Sequence, residues 1–185
     1  MMFFLSRKLI HLLSSLIPLS YIVLNKRVIL TAVLLILIVS ILVEIMRFKS
    51  SNFKRIFNRV FGEMLKKEEK NRITGATWVM LSNFLCIALF KKEIAIMALL
   101  FMSVSDSIAS MIGKFIGKYK IFDKTLEGSI CFLISSFFIT MFFNLSFSLK
   151  IFASFLGTLV EITPLPLDDN LLVPLVTGGI LEILT

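Results

Sequence analysis

The chemistry in this chain starts from one acid. Asp106 lies in Ser103-Val-Ser-Asp106-Ser-Ile-Ala-Ser110-Met-Ile-Gly113-Lys-Phe-Ile-Gly117-Lys118, inside an otherwise apolar stretch. Carboxylates in apolar spans are costly and by default functional. At 1.5 Å per residue, Asp106 sits ~10 Å below the helix end marked by Gly113. Positions 103, 106, 110, 113 and 117 share one helical face and carry Ser, Asp, Ser, Gly and Gly. Such a small polar face either packs a second helix closely or borders a cavity. Close packing explains the glycines but not the acid.

Further polar sets accompany it. Lys118-Tyr-Lys120-Ile-Phe-Asp123-Lys124-Thr125-Leu-Glu127-Gly128-Ser129 puts lysines just before a new apolar block, with Glu127 at its opening. Lysines give point-charge contacts to phosphates, and helix N-termini receive anions. Glu127 among them is a candidate metal ligand, although a plain basic turn accounts for the same residues. Asp168-Asp169-Asn170 holds the one pair of adjacent aspartates, and Mg²⁺ favours one or two carboxylates plus phosphate oxygens. The competing reading is a cap for the helix from Leu171 onward. Arg7-Lys8-Leu-Ile-His11 places Arg7 and His11 at i, i+4, and Arg72-Ile-Thr74-Gly75-Ala-Thr77 enters another block with small and hydroxyl residues. Glu44 and Glu161 lie near the same face and receive no catalytic role.

The elements that must position these residues are apolar. The 185 residues are 57% hydrophobic with 19 Phe, and the mean hydropathy is +0.94. Soluble domains are about 45–50% apolar. The excess falls into blocks near the ~20 residues that cross a ~30 Å hydrocarbon core. A water-soluble enzyme, a secreted disulfide scaffold and a disordered chain are excluded. The expectation is an all-α, polytopic membrane bundle of one domain, residues 1–185, with about seven hydrophobic segments: 9–24, 28–48, 73–90, 94–112, 129–147, 149–165 and 171–184. The last two are short. Either they tilt little, or their connector Pro164-Leu165-Pro166 is drawn into the membrane, where irregular backbone survives only against protein or a water-filled cavity. No small-residue cleavage site follows Arg7-Lys8, so the first segment reads as a retained span. Cys86 and Cys131 show no metal spacing and read as small core residues.

The net charge of +8 does not point to nucleic acid in such a chain. Alternating the segments puts 15 of the 20 Lys and Arg on one side. The positive-inside rule makes that side cytoplasmic, with the N-terminus and every polar set named above. Between the second and third segments, Phe53, Ile56, Phe57, Val60, Phe61, Met64 and Leu65 recur at helical spacing. Lys54, Arg55, Arg59, Lys66 and Lys67 flank that stripe, with Ser51 or Asn52 as a cap. This reads as an interfacial helix on the cytoplasmic leaflet, either a plain anchor or a gate for lipid entry.

Taken in order, these sets resemble the CTP-dependent lipid-alcohol kinases: dolichol kinase, phytol kinase and yeast-type diacylglycerol kinase. The carrying residues are Arg7-Lys8-x-x-His11, Arg72-x-Thr74-Gly75-Ala76-Thr77, Asp106-x-x-Ala109-x-x-x-Gly113-x-x-x-Gly117-Lys118, Lys124-Thr125-Leu126-Glu127-Gly128-Ser129, and Gly157-Thr-Leu-Val-Glu161 leading to Asp168-Asp169-Asn170-Leu-Leu-Val-Pro174. Ser105 stands where many relatives carry glycine. The resemblance implies Mg²⁺-dependent phosphoryl transfer from CTP to the hydroxyl of a lipid alcohol (polyprenol, phytol or diacylglycerol) at the cytoplasmic face of the bilayer. It implies Asp106 as metal ligand or base, with Asp168, Asp169 and Glu127 coordinating Mg²⁺. Lys118, Lys124 and Arg72 would hold phosphates, Asn170 would bond the nucleotide, and His11 would orient. Thr74, Gly113 and Gly117 join the nucleotide-binding set. Two rivals remain. A CTP:phosphatidate cytidylyltransferase would expel pyrophosphate, but the histidine- and glycine-rich segment ending in Asp-Arg is missing. A small transporter needs polar groups through to the far face, where these segments are plain hydrocarbon. Asp106 and Asp168-Asp169 are expected to converge on one site.

Overall fold

A computed structural model of the chain describes residues 2–65, 68–164 and 166–185. Lys66 and Lys67 of the expected interfacial helix, and Leu165 of the proline connector, lie outside the described residues. The fold is all-α apart from one tiny hairpin. In chain order come α1 (Met2–Leu13), α2 (Leu16–Val23), α3 (Lys26–Lys49), α4 (Ser51–Phe61), α5 (Gly75–Leu89), α6 (Lys92–Leu100), α7 (Asp106–Phe115), β1 (Lys120–Ile121), β2 (Lys124–Thr125), α8 (Leu126–Thr140), α9 (Phe147–Ile162) and α10 (Asp169–Leu184).

Each hydrophobic segment is helical, but length separates them. Among the described residues, only α3 and the continuous run Lys92–Phe115 are long and apolar enough to cross a membrane. The segments read as α5, α8, α9 and α10 hold 15, 15, 16 and 16 residues. At 1.5 Å per residue those helices reach about 22–24 Å, short of a ~30 Å core. The first segment is broken between α1 and α2 at Ser14-Ser15. Seven full-length crossings are therefore not supported among the described residues, where two helices reach that length. Side-chain caps fix several of the starts: Asn25 Oδ1 accepts from Val28 N, Ser50 Oγ from Phe53 N, and Thr125 Oγ1 from Gly128 N. The cap of α4 is thus Ser50 rather than Ser51 or Asn52, and α4 ends at Phe61, before the poor helix former Gly62.

The centre of the bundle is α6, whose residues 94–99 are all buried. It is packed by α2, α5, α8 and α10. Around it, α3 buries only Ile29, Val33, Leu37, Glu44 and Arg47, and large apolar side chains such as Leu35, Val39, Ile134, Phe138 and Phe155 face outward. Contiguous apolar surface on this scale marks a surface that contacts protein or lipid. Between α6 and α7 the helix widens into a π turn, Phe101–Ser105, immediately before Asp106. Such turns recur at functional sites.

The two ends of the bundle differ. At one end Lys26 Nζ donates to Ala88 O, Lys92 Nζ to Ile22 O, and the Lys91 backbone N–H to Glu182 Oε2, all closing loops. The other end gathers the charged side chains of α1, α7, β2, α9 and α10.

Candidate active site

Lys124 is the hub of that second end. It sits on β2, where β1 and β2 pair antiparallel and Phe122 makes the turn with a positive φ of 53°. Its Nζ lies 2.7 Å from Asp169 Oδ2, 3.0 Å from Glu161 Oε1 and 3.9 Å from Asp106 Oδ1. Three carboxylates from α7, α9 and α10 thus meet at one nitrogen. Burial opposes the Lys124 charge, yet Asp106, Asp169 and Glu161 outweigh it and hold the ammonium above the ordinary lysine range. Asp106 and Asp169, 63 positions apart in sequence, both touch this nitrogen.

Asp106 has a second set of partners. Lys8 Nζ on α1 donates to its Oδ2 at 2.8 Å, and His11 Nε2 stands 3.4 Å from the same oxygen. That histidine nitrogen also donates to Met102 O at 2.9 Å, a carbonyl within the π turn. His11 therefore ties α1 to the widened turn that carries Asp106. Its position suits orientation rather than proton abstraction, because its Nε2 proton is already engaged.

Beside this cluster lies a buried framework. Arg47 donates through Nε to Glu44 Oε2 at 2.8 Å and through Nη1 to Glu69 O at 2.6 Å, and also to the Arg72 carbonyl. Glu44 Oε1 accepts from Thr74 N at 2.8 Å and from Thr74 Oγ1 at 2.7 Å. Glu69 Oε1 accepts from Gly75 N at 3.2 Å and faces Arg7 Nη2 at 3.4 Å. A Cβ on Gly75 would stand 3.2 Å from Asn170 Nδ2, so α5 and α10 meet beside Arg7 at their N-termini.

The expected site residues separate accordingly. Asp106, Lys124, Asp169 and His11 come together, and Asn170 and Arg7 adjoin them. Asp168 caps α10, accepting from Asn170 N at 3.0 Å, which is the bland alternative for that residue. Glu127 is half-buried, accepting the backbone N–H of Lys118 at 2.9 Å and of Tyr119 at 3.3 Å. Backbone hydrogen bonds, its own and that of Lys118, hold its carboxyl below the usual glutamate range. Lys118 and Arg72 are exposed, and Thr74 serves Glu44. Gly113 and Gly117 face Thr125: a Cβ on either would approach its side chain to 2.6 Å or 2.7 Å. Sequence reasoning gave Glu161 no role and Lys8 none beyond the motif, yet both touch the cluster. The signal for Glu161 was its place in the Gly157-Thr-Leu-Val-Glu161 block. The signal for Lys8 was its spacing of three from His11 on one short helix.

A helical bundle that gathers lysines and carboxylates at one end has the parts that phosphoryl transfer demands, positioned charge rather than covalent chemistry. Comparison with known proteins gives the class its name. The chain is 30% identical over 161 residues to CTP-dependent diacylglycerol kinase 1 of Schizosaccharomyces pombe, covering 76% of this chain and 74% of that protein. It is 27% identical over 180 residues to an uncharacterised protein of Rickettsia prowazekii, covering 91% and 88%. A 77-residue stretch is 26% identical to CTP-dependent diacylglycerol kinase 1 of Eremothecium gossypii, covering 42% of this chain and 24% of that protein. No family model matches, and no solved structure matches. The chain belongs to the CTP-dependent lipid kinase family.

Proposed function

We propose that this protein transfers the terminal phosphoryl group of CTP to the hydroxyl of a membrane lipid, with diacylglycerol the first candidate because two relatives carry that name. The observation that carries the reading is Lys124, held by Asp106, Glu161 and Asp169 beside Lys8 and Arg7 at one end of the bundle. The outward apolar faces of α3, α8 and α9 suit a bilayer. The density of basic residues around the charged end favours the cytoplasmic surface, where a cytosolic nucleotide would meet a leaflet lipid. Helices shorter than the hydrocarbon core fit such a site, since a thinned bilayer brings their charged ends within reach of both.

The donor set fits Mg²⁺. Asp106 and Asp169 present hard carboxylate oxygens, and Mg²⁺ is usually held by one or two carboxylates together with substrate phosphates. Among the described residues no group of three or more His, Cys, Asp or Glu is gathered to hold a metal, so the expected set of Asp106, Glu127, Asp168 and Asp169 does not form one. Bound there, Mg²⁺ would neutralise phosphate charge. Lys124 and Lys8 supply cations to the phosphates from two directions. Arg7 and Asn170, at the α5–α10 junction, bind the remainder of the nucleotide. His11 fixes the turn that aims Asp106.

The test is product analysis with labelled CTP and diacylglycerol in detergent micelles. CDP and a phosphorylated lipid are expected. Pyrophosphate with a cytidylylated lipid would assign a cytidylyltransferase instead, and no turnover with any lipid alcohol would remove the kinase reading. Labelling of single cysteines at positions 118 and 169 from the cytoplasmic side tests the orientation.

A further inference from the structure

Next to Lys124 lies a cavity of about 230 Å³ between the facing ends of α7 and α8. Its walls are small: Ala109, Ser110 and Gly113 on one helix, Gly128 and Ser129 on the other, with Lys124 and Glu161 at its inner end. Glu161 is buried, and its Oε2 accepts from Ser129 Oγ at 3.2 Å. Its other oxygen faces Lys124, so the cavity opens directly onto the cation that joins the three carboxylates.

Size, charge and surroundings together define what fits. A site that encloses a whole drug-sized ligand spans about 300–1,000 Å³, so this one takes a fragment. The charged residues on its wall are Lys114, Lys124, Asp123 and Glu161, two of each sign, which gives a triphosphate no net attraction. The nucleotide phosphates find Lys8 on the other oxygen of Asp106, with Lys124 standing between the two regions. Flanking the cavity, Ile108 and Met111 on α7 and Ile130 and Ile134 on α8 point outward as exposed apolar side chains. An alkyl chain lying along that seam leaves only a small hydroxylated head to enter. The closeness of α7 and α8 leaves no room for larger walls, since a Cβ on Gly128 would stand 2.8 Å from Ala109 O.

Resting on the kinase reading above, we infer that this cavity is the acceptor slot, taking the hydroxyl-bearing glycerol head of the lipid with Glu161 as the catalytic base. The proton of the lipid hydroxyl passes to the Glu161 carboxylate as the lipid oxygen bonds to the terminal phosphorus of CTP. The bond from that phosphorus to its bridging oxygen breaks, and CDP leaves with the electron pair. Lys124, in contact with Glu161 and Asp169 alike, marks the boundary between acceptor and donor.

Two measurements on the full chain test the slot. The first uses Ser110→Leu, which fills the cavity from its wall. The KM for diacylglycerol should rise at least about tenfold with the KM for CTP unchanged, the unchanged value also reporting an intact fold. An unchanged KM for diacylglycerol, or a rise in the KM for CTP, overturns the assignment. The second needs no turnover: a diacylglycerol with a diazirine beside its hydroxyl should label residues 109–129 in the wild type, and much less in Ser110→Leu. Labelling elsewhere overturns the slot even if CTP is consumed. Labelling at the slot without CTP turnover keeps the slot and removes the kinase reading. Glu161→Gln should cut kcat by about 10²-fold or more, as loss of a general base does, while equilibrium CTP binding persists; kcat within threefold of wild type refutes Glu161 as the base.

Discussion

Replacing Lys124 with methionine keeps the length and most of the volume of the side chain while deleting one charge. In the native protein its nitrogen contacts Asp169 at 2.7 Å, Glu161 at 3.0 Å and Asp106 at 3.9 Å. Asp106 retains Lys8 at 2.8 Å, and Asp169 is 32% exposed and finds water. Glu161, 3% exposed, has no such recourse and keeps only the Ser129 hydroxyl. Stripping one partner from a buried ion pair costs about 3–5 kcal/mol. Lys124 is 26% exposed, so solvent screening reduces that to about 2–3 kcal/mol. For a chain of this length, 1 kcal/mol moves the melting temperature by about 2–4 °C. Thermal unfolding in detergent should therefore show Lys124→Met melting roughly 5–10 °C below wild type. Adding Glu161→Gln should recover part of the loss, because the uncompensated charge is then gone, and the two changes should be non-additive by about 1 kcal/mol or more. Mg²⁺ should raise the melting temperature of Lys124→Met more than that of wild type, since the carboxylates are freed for a divalent ion. A melting temperature within a degree of wild type, or strict additivity with Glu161→Gln, refutes the hub.

Three more expectations follow from the same geometry. Asp106→Asn preserves volume, so circular dichroism should be unchanged while lipid phosphorylation falls by at least about 10²-fold; near-normal turnover would make Asp106 a packing residue. Gly113→Ala drives a Cβ to 2.6 Å from Thr125 Oγ1 and should cost about 1–3 kcal/mol by denaturant titration, less than additively with Thr125→Ala. Backbone donors hold the Glu127 pKa below its unfolded value of about 4.3, so its stabilisation is present above that pH and lost as pH falls through the folded value. Glu127→Gln should flatten that acid limb of the stability curve, and an unchanged limb would contradict the backbone bonding.

The sequence carries the helices well and the charge partners poorly. Apolar blocks and the stripe of α4 are legible because burial and amphipathicity leave a period of 3.6 residues. Asp106 is legible because an acid in hydrocarbon needs a reason. Glu161 is harder, since one carboxylate near a helix end has no local partner. Its significance lies in Lys124, 37 positions earlier, and in Ser129, 32 positions earlier. Arg47 counts in sequence as one more loop cation, yet it is buried and holds the carbonyls of Glu69 and Arg72. Asp168 and Glu127 look like metal ligands by type, but each is satisfied by backbone N–H groups within ten positions, a local bond that composition does not reveal. The π turn at Phe101–Ser105 leaves no compositional trace either, being a change of hydrogen-bond register rather than of residue type.

The charge balance of the cluster connects its stability to its proposed task. Two lysines, Lys8 and Lys124, oppose three carboxylates, Asp106, Glu161 and Asp169, leaving one excess negative charge. Packed to that balance, the residues stabilise one another without ligand, since every buried carboxylate has a cation within reach. The same excess repels a bare triphosphate, and Arg7 beside it is shared with an acid outside the cluster, Glu69. On the proposed reading, a nucleotide bringing its own divalent counter-ion would offset the negative charge at Asp106 and Asp169 and let Lys124 turn from carboxylates to phosphate. The lipid head meets no such barrier, because a neutral hydroxyl enters a charge-balanced cavity. On that reading donor and acceptor would be separated by electrostatics before any shape recognition, with Lys124 lining the cavity and contacting Asp169 where the two regions join.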